Sequence, residues 1–342
     1  MEVSSLSLNK TIKKIDSNMT ILVAVTFVLL TVLSILLKGS FLSLRNFQSM
    51  AYQFPEFGLL ALAMGIAMIS GGIDLSVIAN ANLSGIIAAL ILTQNITNET
   101  TGNQLVLIII LAILTALALS ALLGMFNGFL IAYLGIPAIL ATLGTMLLFA
   151  GIGMAITEGR GVVGFPLPFL YIGFGQLSIF PLPLIIFIIL AIFVGIIMSK
   201  SALGQKIYLL GANSIAARFS GIENNIIIIK TYMLTGFLAG LSSILMISRV
   251  NSAKIGYGDT YLLQAILVVV LGGVDPAGGK GKISGVILGI IILQSLQSAF
   301  TLFGFDPYSK RLIWGLMLLI VMIINFINSK HKERILRLKN IT

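Results

Sequence analysis

Ten runs of mostly apolar residues restrict the folds that this chain can adopt. A helix needs about 20 such residues to cross a bilayer, because lipid offers the backbone no hydrogen-bond partner. The predicted spans are 20–37, 55–70, 75–93, 105–133, 136–157, 180–199, 228–248, 261–272, 283–303 and 312–328. Only 9% of the residues are charged, against about 25% in soluble domains. The sequence therefore predicts an all-α polytopic membrane protein with about ten transmembrane helices, one more or one fewer.

The distribution of Lys and Arg indicates the orientation of these spans. Placing the N-terminus inside puts fourteen of the 21 basic residues on the cytoplasmic side, where such residues are enriched. The predicted domains are a cytoplasmic N-terminal segment at 1–19, a transmembrane domain at 20–328 and a basic cytoplasmic tail at 329–342. Most of the basic residues that give the net charge of +10 lie at the ends of apolar spans. This position indicates that they orient the spans in the membrane and do not bind nucleic acid.

Composition excludes several kinds of catalytic site. The chain has no cysteine, and its single histidine, His331, lies in the charged tail. Thiol nucleophiles and thiolate metal sites are therefore impossible, and histidine metal sites and Ser-His catalysis are effectively excluded. No metal and no cofactor are expected in this chain.

Asp74 lies in the apolar stretch MISGGIDLSV, residues 68–77. A carboxylate at this depth is a functional-site hypothesis by default. A proton relay would require a His, Glu or Lys partner within the membrane, and the sequence suggests none. Gly71 and Gly72 instead predict a broken or re-entrant helix near 70–80, with Asp74 accepting hydrogen bonds from the first amides of the next helix.

Other polar side chains are predicted at membrane depth. Asn80 and Asn82 follow the break, Asn127 lies in GMFNGF, and Thr142 lies in IPAILATLGTM, residues 136–146. These four are candidates for lining a translocation path. A threonine in a helix can also bond to its own backbone, so Thr142 has a purely structural alternative.

Two further segments are too polar to span a membrane. GANSIAARFSGI, residues 211–222, predicts a short helix that Asn213 or Ser214 caps and Ser220-Gly221 ends. It is either a docking element or an ordinary loop helix. LGGVDPAGGKGKISGVILG, residues 271–289, suggests a phosphate-binding loop, but its Gly-Lys is followed by Gly281 where the motif requires Ser or Thr. No nucleotide site is predicted, so a transporter of this kind must take its energy from a partner.

Glycines spaced four apart predict close contacts between helices. The pairs are Gly124/Gly128, Gly236/Gly240, Gly281/Gly285 and Gly285/Gly289.

Four segments resemble, in this order, the permease subunits of bacterial ABC sugar importers of the ribose, galactose and autoinducer-2 type, within the branched-chain amino acid/ribose permease superfamily. They are GGIDLSV (71–77), IPAILATLGTM (136–146), GANSIAARFSGI (211–222) and LGGVDPAGGKGKISGVILG (271–289). The resemblance covers residues 20–328. It implies a multi-pass subunit in the bacterial cell membrane, with both termini cytoplasmic and no ATPase site or other enzyme activity of its own. It also implies a second permease copy or a paralogue, and cytoplasmic ATPase subunits that bind ATP and Mg. An external sugar-binding protein would deliver the sugar to the outer loops 94–104, 158–180 and 249–260.

The resemblance also implies roles for particular residues. Residues 211–222 would be the coupling helix that sits in a groove on the ATPase, with contacts from Asn213, Ala216, Arg218, Phe219, Ser220 and Gly221. The structural signature would comprise Gly71, Gly72, Asp74, Ser76, Gly272, Gly273, Gly278 and Gly279.

The substrate stays open in this sequence. Residues 78–82, Ile-Ala-Asn-Ala-Asn, replace a family pattern of glycine and small residues near the expected path. The alternatives are a nucleoside or branched-chain amino-acid ABC permease, or a secondary sugar symporter. The symporter would be expected to carry internal inverted repeats, and the sequence has no clear repeat.

Overall fold

The computed structural model describes residues 17–96, 100 and 102–339, which form thirteen α-helices and four two-residue strands. The helices are α1 Ser17–Leu36, α2 Leu44–Ile69, α3 Val77–Gln94, α4 Gly102–Ala132, α5 Ala138–Thr157, α6 Leu167–Phe174, α7 Leu182–Lys200, α8 Ala202–Ala212, α9 Ser214–Phe219, α10 Asn224–Val250, α11 Asp259–Leu271, α12 Ile283–Leu302 and α13 Pro307–Lys339. The strands are β1 Val162–Val163, β2 Gln176–Leu177, β3 Phe180–Pro181 and β4 Ser252–Ala253. The predicted all-α architecture is confirmed.

Each of the ten predicted spans corresponds to a helix. Eight helices in the described residues are long and apolar enough to cross a membrane, namely α1 to α5, α7, α10 and α12. The ninth, α11, is apolar but has only 13 residues, which at about 1.5 Å per residue is shorter than the ~30 Å hydrocarbon core. The tenth, α13, continues to Lys339, past the predicted end of the last span at 328.

Parts of three predicted segments lie outside the described residues. They are 1–16 of the N-terminal segment, 97–99 and 101 of the outer loop, and 340–342 of the tail.

Helix α2 lies at the centre of the bundle. Its apolar window is 83% buried, against 11% for α1, and every residue from Pro55 to Ile69 is buried. It packs against α7, α10, α11 and α12, while α10 packs along α4. The outer helices α1, α4, α5 and α7 present large apolar side chains outward, as expected of surfaces that face lipid or another membrane subunit.

The chain breaks between α2 and α3, as the sequence predicts near 70–80. Helix α2 ends at Ile69, Gly71 adopts a φ of +89°, and α3 begins at Val77. The residues between the helices are enclosed by α4, α5 and α10, so the non-helical backbone finds protein partners instead of lipid.

The loop after α7 contains a helix that the sequence analysis missed. Helix α8 follows α7 after a single residue, Ser201, whose hydroxyl accepts a hydrogen bond from the Gly204 amide at 3.1 Å. Helix α8 ends at Ala212, and α9 begins two residues later at Ser214. The predicted helix at 211–222 is thus shorter than expected, because residues 211 and 212 form the last turn of α8.

Candidate functional site

The four segments singled out in the sequence meet at one end of the bundle. They surround a cavity of about 450 Å³, and each contributes residues to its lining: Gly71, Pro137, Gly211 and Ala277. Tyr232 of α10 completes the wall. Gly71 and Ala277 are 206 residues apart in the sequence, so the convergence of the segments is a property of the tertiary fold. This end of the bundle is the candidate site.

Helix α9 lies at the rim of the cavity, and its ends are determined by the local sequence. The Asn213 side-chain oxygen accepts hydrogen bonds from the amides of Ile215 and Ala216, at 3.0 and 2.9 Å. The helix ends at Phe219, followed by Ser220 and by Gly221 with a φ of +78°. The predicted cap and stop signals are therefore confirmed.

One face of α9 is anchored to the protein and the other is free. Ala217 is buried, and the Asn224 side chain of α10 donates a hydrogen bond to the Ser214 carbonyl at 2.7 Å. On the opposite face, Ile215 is 68% exposed and Phe219 is 88% exposed. The other residues that the sequence analysis assigned to this element, Asn213, Ala216, Arg218, Ser220 and Gly221, are exposed as well.

Phe219 was predicted from the sequence, but two other contributors to this element, Ile215 and Asn224, were not. Ile215 and Phe219 are four apart and therefore share a helix face, a spacing visible in the sequence. The anchoring role of Asn224 could not be read from the sequence, because it depends on how α9 folds back on α10.

Asp74 is buried and fully engaged, but not as predicted. One of its oxygens accepts hydrogen bonds from the Ser76 amide at 3.1 Å and the Ser76 hydroxyl at 2.7 Å. The other accepts from the Thr235 hydroxyl at 3.2 Å. The predicted bonds to the first amides of α3 are absent, because Asp74 closes a turn on the residue before that helix. Asn127 of α4 extends the cluster by donating to the Ser76 hydroxyl at 2.6 Å.

The candidate path residues do not share one surface. Asn80 donates to the Ser120 carbonyl and Asn82 donates to the Tyr257 carbonyl, both at 3.0 Å, so the two asparagines face different neighbours. Thr142 donates to the Ile73 carbonyl at 3.0 Å and also bonds to its own helix. All four candidates, Asn127 included, are buried, and none lines the cavity. In this conformation they join helices together.

The predicted signature glycines allow close backbone contacts. A side chain at Gly72 would collide with the Tyr232 hydroxyl, and one at Gly272 would come within 2.7 Å of Gly285. Gly273 lies in the turn that follows α11. Gly278 and Gly279 pack against Gly71 and Ala212, respectively. In contrast, Gly281 precedes α12 and does not form the helix-face pair predicted with Gly285.

An ionic cluster lies outside the predicted site. Arg249 of α10 donates two hydrogen bonds to the Glu56 carboxylate of α2, at 3.0 and 2.6 Å. Tyr261 of α11 donates to the same carboxylate at 2.7 Å. The sequence predicts Arg249 outside the membrane, but no role was predicted for Glu56, which lies beside Pro55 at the start of an apolar run. Within the described residues, no three His, Cys, Asp or Glu side chains cluster as metal ligands would.

We expect Asp74→Asn to preserve most of the transport that the sequence resemblance implies, and Asp74→Leu to reduce the amount of folded protein. An asparagine retains one oxygen for Ser76, and its amide can face the Thr235 hydroxyl. A leucine leaves the Ser76 amide without its partner, and an unpaired buried polar group costs about 1–3 kcal/mol. The measurements are membrane abundance and uptake for both variants. Complete loss of uptake in both at normal abundance would show that the negative charge itself is required.

Comparison with known proteins is consistent with this arrangement. The profile of the family described as branched-chain amino acid transport system / permease component matches residues 46–322. The ribose import permease protein of Escherichia coli is 34% identical over 84% of this chain and 88% of its own length. The ribose import permease protein of Bacillus subtilis is 31% identical, over 87% and 90%.

The autoinducer 2 import system permease protein of Salmonella typhimurium is 31% identical over 83% of each chain. No solved structure matches the chain. The family profile spans most of the sequence, including all four converging segments, and the relatives match over 83–90% of their own lengths. The chain therefore belongs to the family of branched-chain amino acid transport system permease components.

Proposed function

We propose that this chain is the membrane-spanning subunit of an ABC importer that moves a sugar or a related small polyol-like solute into the cell. Separate ATPase subunits dock on α9, and an external binding protein delivers the solute. The main observation that supports this proposal is the geometry of α9. It is a capped helix, anchored on one face and exposed on the other, and it lies beside the point where the four segments meet. The relatives that import ribose and autoinducer 2 support the class of solute.

The chemistry of α9 favours a protein partner over lipid. The helix lies in a loop that also carries Lys200, Lys206 and Arg218, so its surroundings are aqueous. Phe219 and Ile215 expose apolar side chains in this polar setting, and aromatic side chains and arginine are enriched at protein interfaces. Arg218 beside Phe219 would add a charged contact. The ATP and Mg belong to the docked subunits, and this chain contributes no ATPase site.

This assignment implies the orientation that the basic residues suggest. Helix α9 and the cavity face the cytoplasm, both termini are cytoplasmic, and the Glu56 cluster lies toward the outer face. Glu56 and Ile69 are 13 residues apart on α2, or about 20 Å. The subunit works with a second copy of itself or with a paralogue, and the outward apolar side chains of α4 and α5 are available to lipid or to that partner.

Replacing Phe219 by aspartate should weaken ATPase association at least tenfold. Burial of a phenylalanine side chain contributes about 1.5–3 kcal/mol, and the aspartate adds a desolvation penalty. Arg218→Glu should weaken association as well. The measurement is co-purification of the ATPase with each variant. Tyr308→Asp is the matched control, because Tyr308 is 85% exposed but lies in the first turn of α13, on the proposed outer face. Unchanged association of both α9 variants would refute the docking assignment.

Reconstitution separates the importer from the rival functions. Proteoliposomes with the ATPase and binding protein should accumulate sugar only when ATP is present. If this chain alone accumulates sugar along an ion gradient, it is a secondary symporter. If the binding protein retains nucleosides or branched-chain amino acids and not sugars, the solute class is wrong and the importer assignment stands.

A further inference from the structure

The loop between α11 and α12 contacts the α8–α9 junction through backbone atoms. The Gly279 amide donates a hydrogen bond to the Ile69 carbonyl at 2.8 Å, which joins the loop to the end of α2. Gly211 in the last turn of α8 lies against both groups: an added side chain there would collide with the Ile69 carbonyl and come within 2.6 Å of the Gly279 nitrogen. Three chain segments therefore meet at one point without intervening side chains.

The loop itself is closed and held from a second direction. The Gly278 amide donates to the Asp275 carbonyl at 2.9 Å, and the Asp275 amide donates to the Lys280 carbonyl at 3.1 Å. Gly278 and Gly279 have φ angles of +94° and +72°, a region that side chains disfavour. Tyr208 of α8 donates to the Gly281 carbonyl at 2.9 Å. The loop is therefore fastened to α8 at two places.

Helix α9 is connected to this point by very little chain. Only Asn213 separates it from α8, and the Asn213 amide continues the α8 hydrogen bonding while its side chain caps α9. A displacement of α9 must therefore move the end of α8. Side-chain contacts can relax by changing rotamer, but the contacts of Gly211, Gly278 and Gly71 involve backbone, which has no such freedom.

We propose that Gly71, Gly211, Gly278 and Gly279 form a rigid joint that positions α9 and transmits its displacement to α2 and to the α11–α12 loop. The GGVDPAGGKG segment then serves energy coupling and does not bind a nucleotide or the sugar. This proposal rests on the docking of an ATPase on α9. It assigns these glycines a positioning role, since none of them touches the partner in the proposed arrangement.

Gly211→Ala tests the joint through one contact. Gly211 is helical, so alanine favours its backbone conformation, and any loss must come from the collision with the Ile69 carbonyl of α2 and the Gly279 amide of the loop. We expect the variant to retain the ATPase in co-purification, while stimulation of ATP hydrolysis by loaded binding protein and sugar uptake both fall at least tenfold. Gly195→Ala in α7, where nothing lies within 4 Å of the added carbon, is the matched control. Uptake by Gly211→Ala within twofold of the wild type would overturn the proposal.

A cross-linking measurement decides the question if Gly211→Ala fails to reach the membrane. The chain has no cysteine, so Ala212→Cys with Ala277→Cys gives one defined pair, and both residues are exposed and line the same cavity. A short bis-maleimide should link the pair with equal yield in the resting complex and in the complex trapped with ATP, because the joint moves as a unit. Cross-linking yields that differ twofold or more between the resting and the ATP-trapped complex would overturn the proposal.

The same experiments distinguish a failure of the glycine joint from a failure of the proposed ATPase docking. If the wild-type chain does not retain the ATPase, the docking assignment itself is wrong. If Phe219→Asp loses the ATPase while Gly211→Ala supports normal uptake, only the joint is wrong.

Discussion

Replacing Arg249 by methionine is expected to destabilise the folded chain by about 3 kcal/mol. The Glu56 side chain is only 2% exposed, and Arg249 supplies two of its three side-chain hydrogen bonds. Removing one partner of a buried ion pair costs about 3–5 kcal/mol, because the other charge remains buried and uncompensated. We expect the lower end of this range, since the Arg249 side chain is 29% exposed to its surroundings. The measurement is equilibrium unfolding in detergent micelles.

Two further variants distinguish this explanation from a loss of packing by the arginine. Glu56→Leu combined with Arg249→Met should recover most of the lost stability, because no charge is then left buried. Arg160→Met is the control, since the Arg160–Glu158 pair is 3.8 Å apart with both side chains more than three-quarters exposed, and no measurable change is expected. A double variant no more stable than Arg249→Met alone would show that packing of the arginine stem dominates.

The features that could be predicted from the sequence depend on local chemistry. The spans were predictable because a helix in lipid must satisfy its own backbone, which requires long apolar runs. The break after α2 follows from Gly71 and Gly72, and the ends of α9 follow from Asn213, Ser220 and Gly221. Each of these features is determined within a few residues of chain, so no knowledge of the tertiary fold was necessary.

The features that escaped prediction depend on contacts between distant segments. Glu56 and Arg249 are 193 residues apart, and their pairing depends on how α2 packs on α10. Asp74 was expected to cap α3, but Thr235 lies close enough to share its carboxylate. Asn80 and Asn82 look alike in sequence, yet they bond to α4 and to the loop before α11. Sequence predicted that these polar groups need partners but could not identify the partners.

The glycine pairs of α4 and α10 illustrate both cases, because their spacing was visible and their alignment was not. Gly124 and Gly236 lie opposite each other where the two helices cross. An added carbon at Gly236 would strike the Ser120 carbonyl and lie 3.0 Å from the Gly124 Cα. The Ser120 hydroxyl also donates to the Gly236 carbonyl, which holds the two backbones together.

Gly236→Ala should therefore destabilise the protein by about 2–3 kcal/mol, near the upper end of the usual ~1–3 kcal/mol for overpacking, because the atoms it meets are backbone. Gly240→Ala should have a smaller effect, since its nearest neighbour is the Ser120 side-chain Cβ at 2.9 Å. Gly151→Ala in α5, with nothing within 4 Å, should be neutral or slightly stabilising. Equilibrium unfolding of the three variants gives their order. If all three are equally stable, α4 and α10 separate easily, and the glycine pairs do not determine how closely the two helices pack.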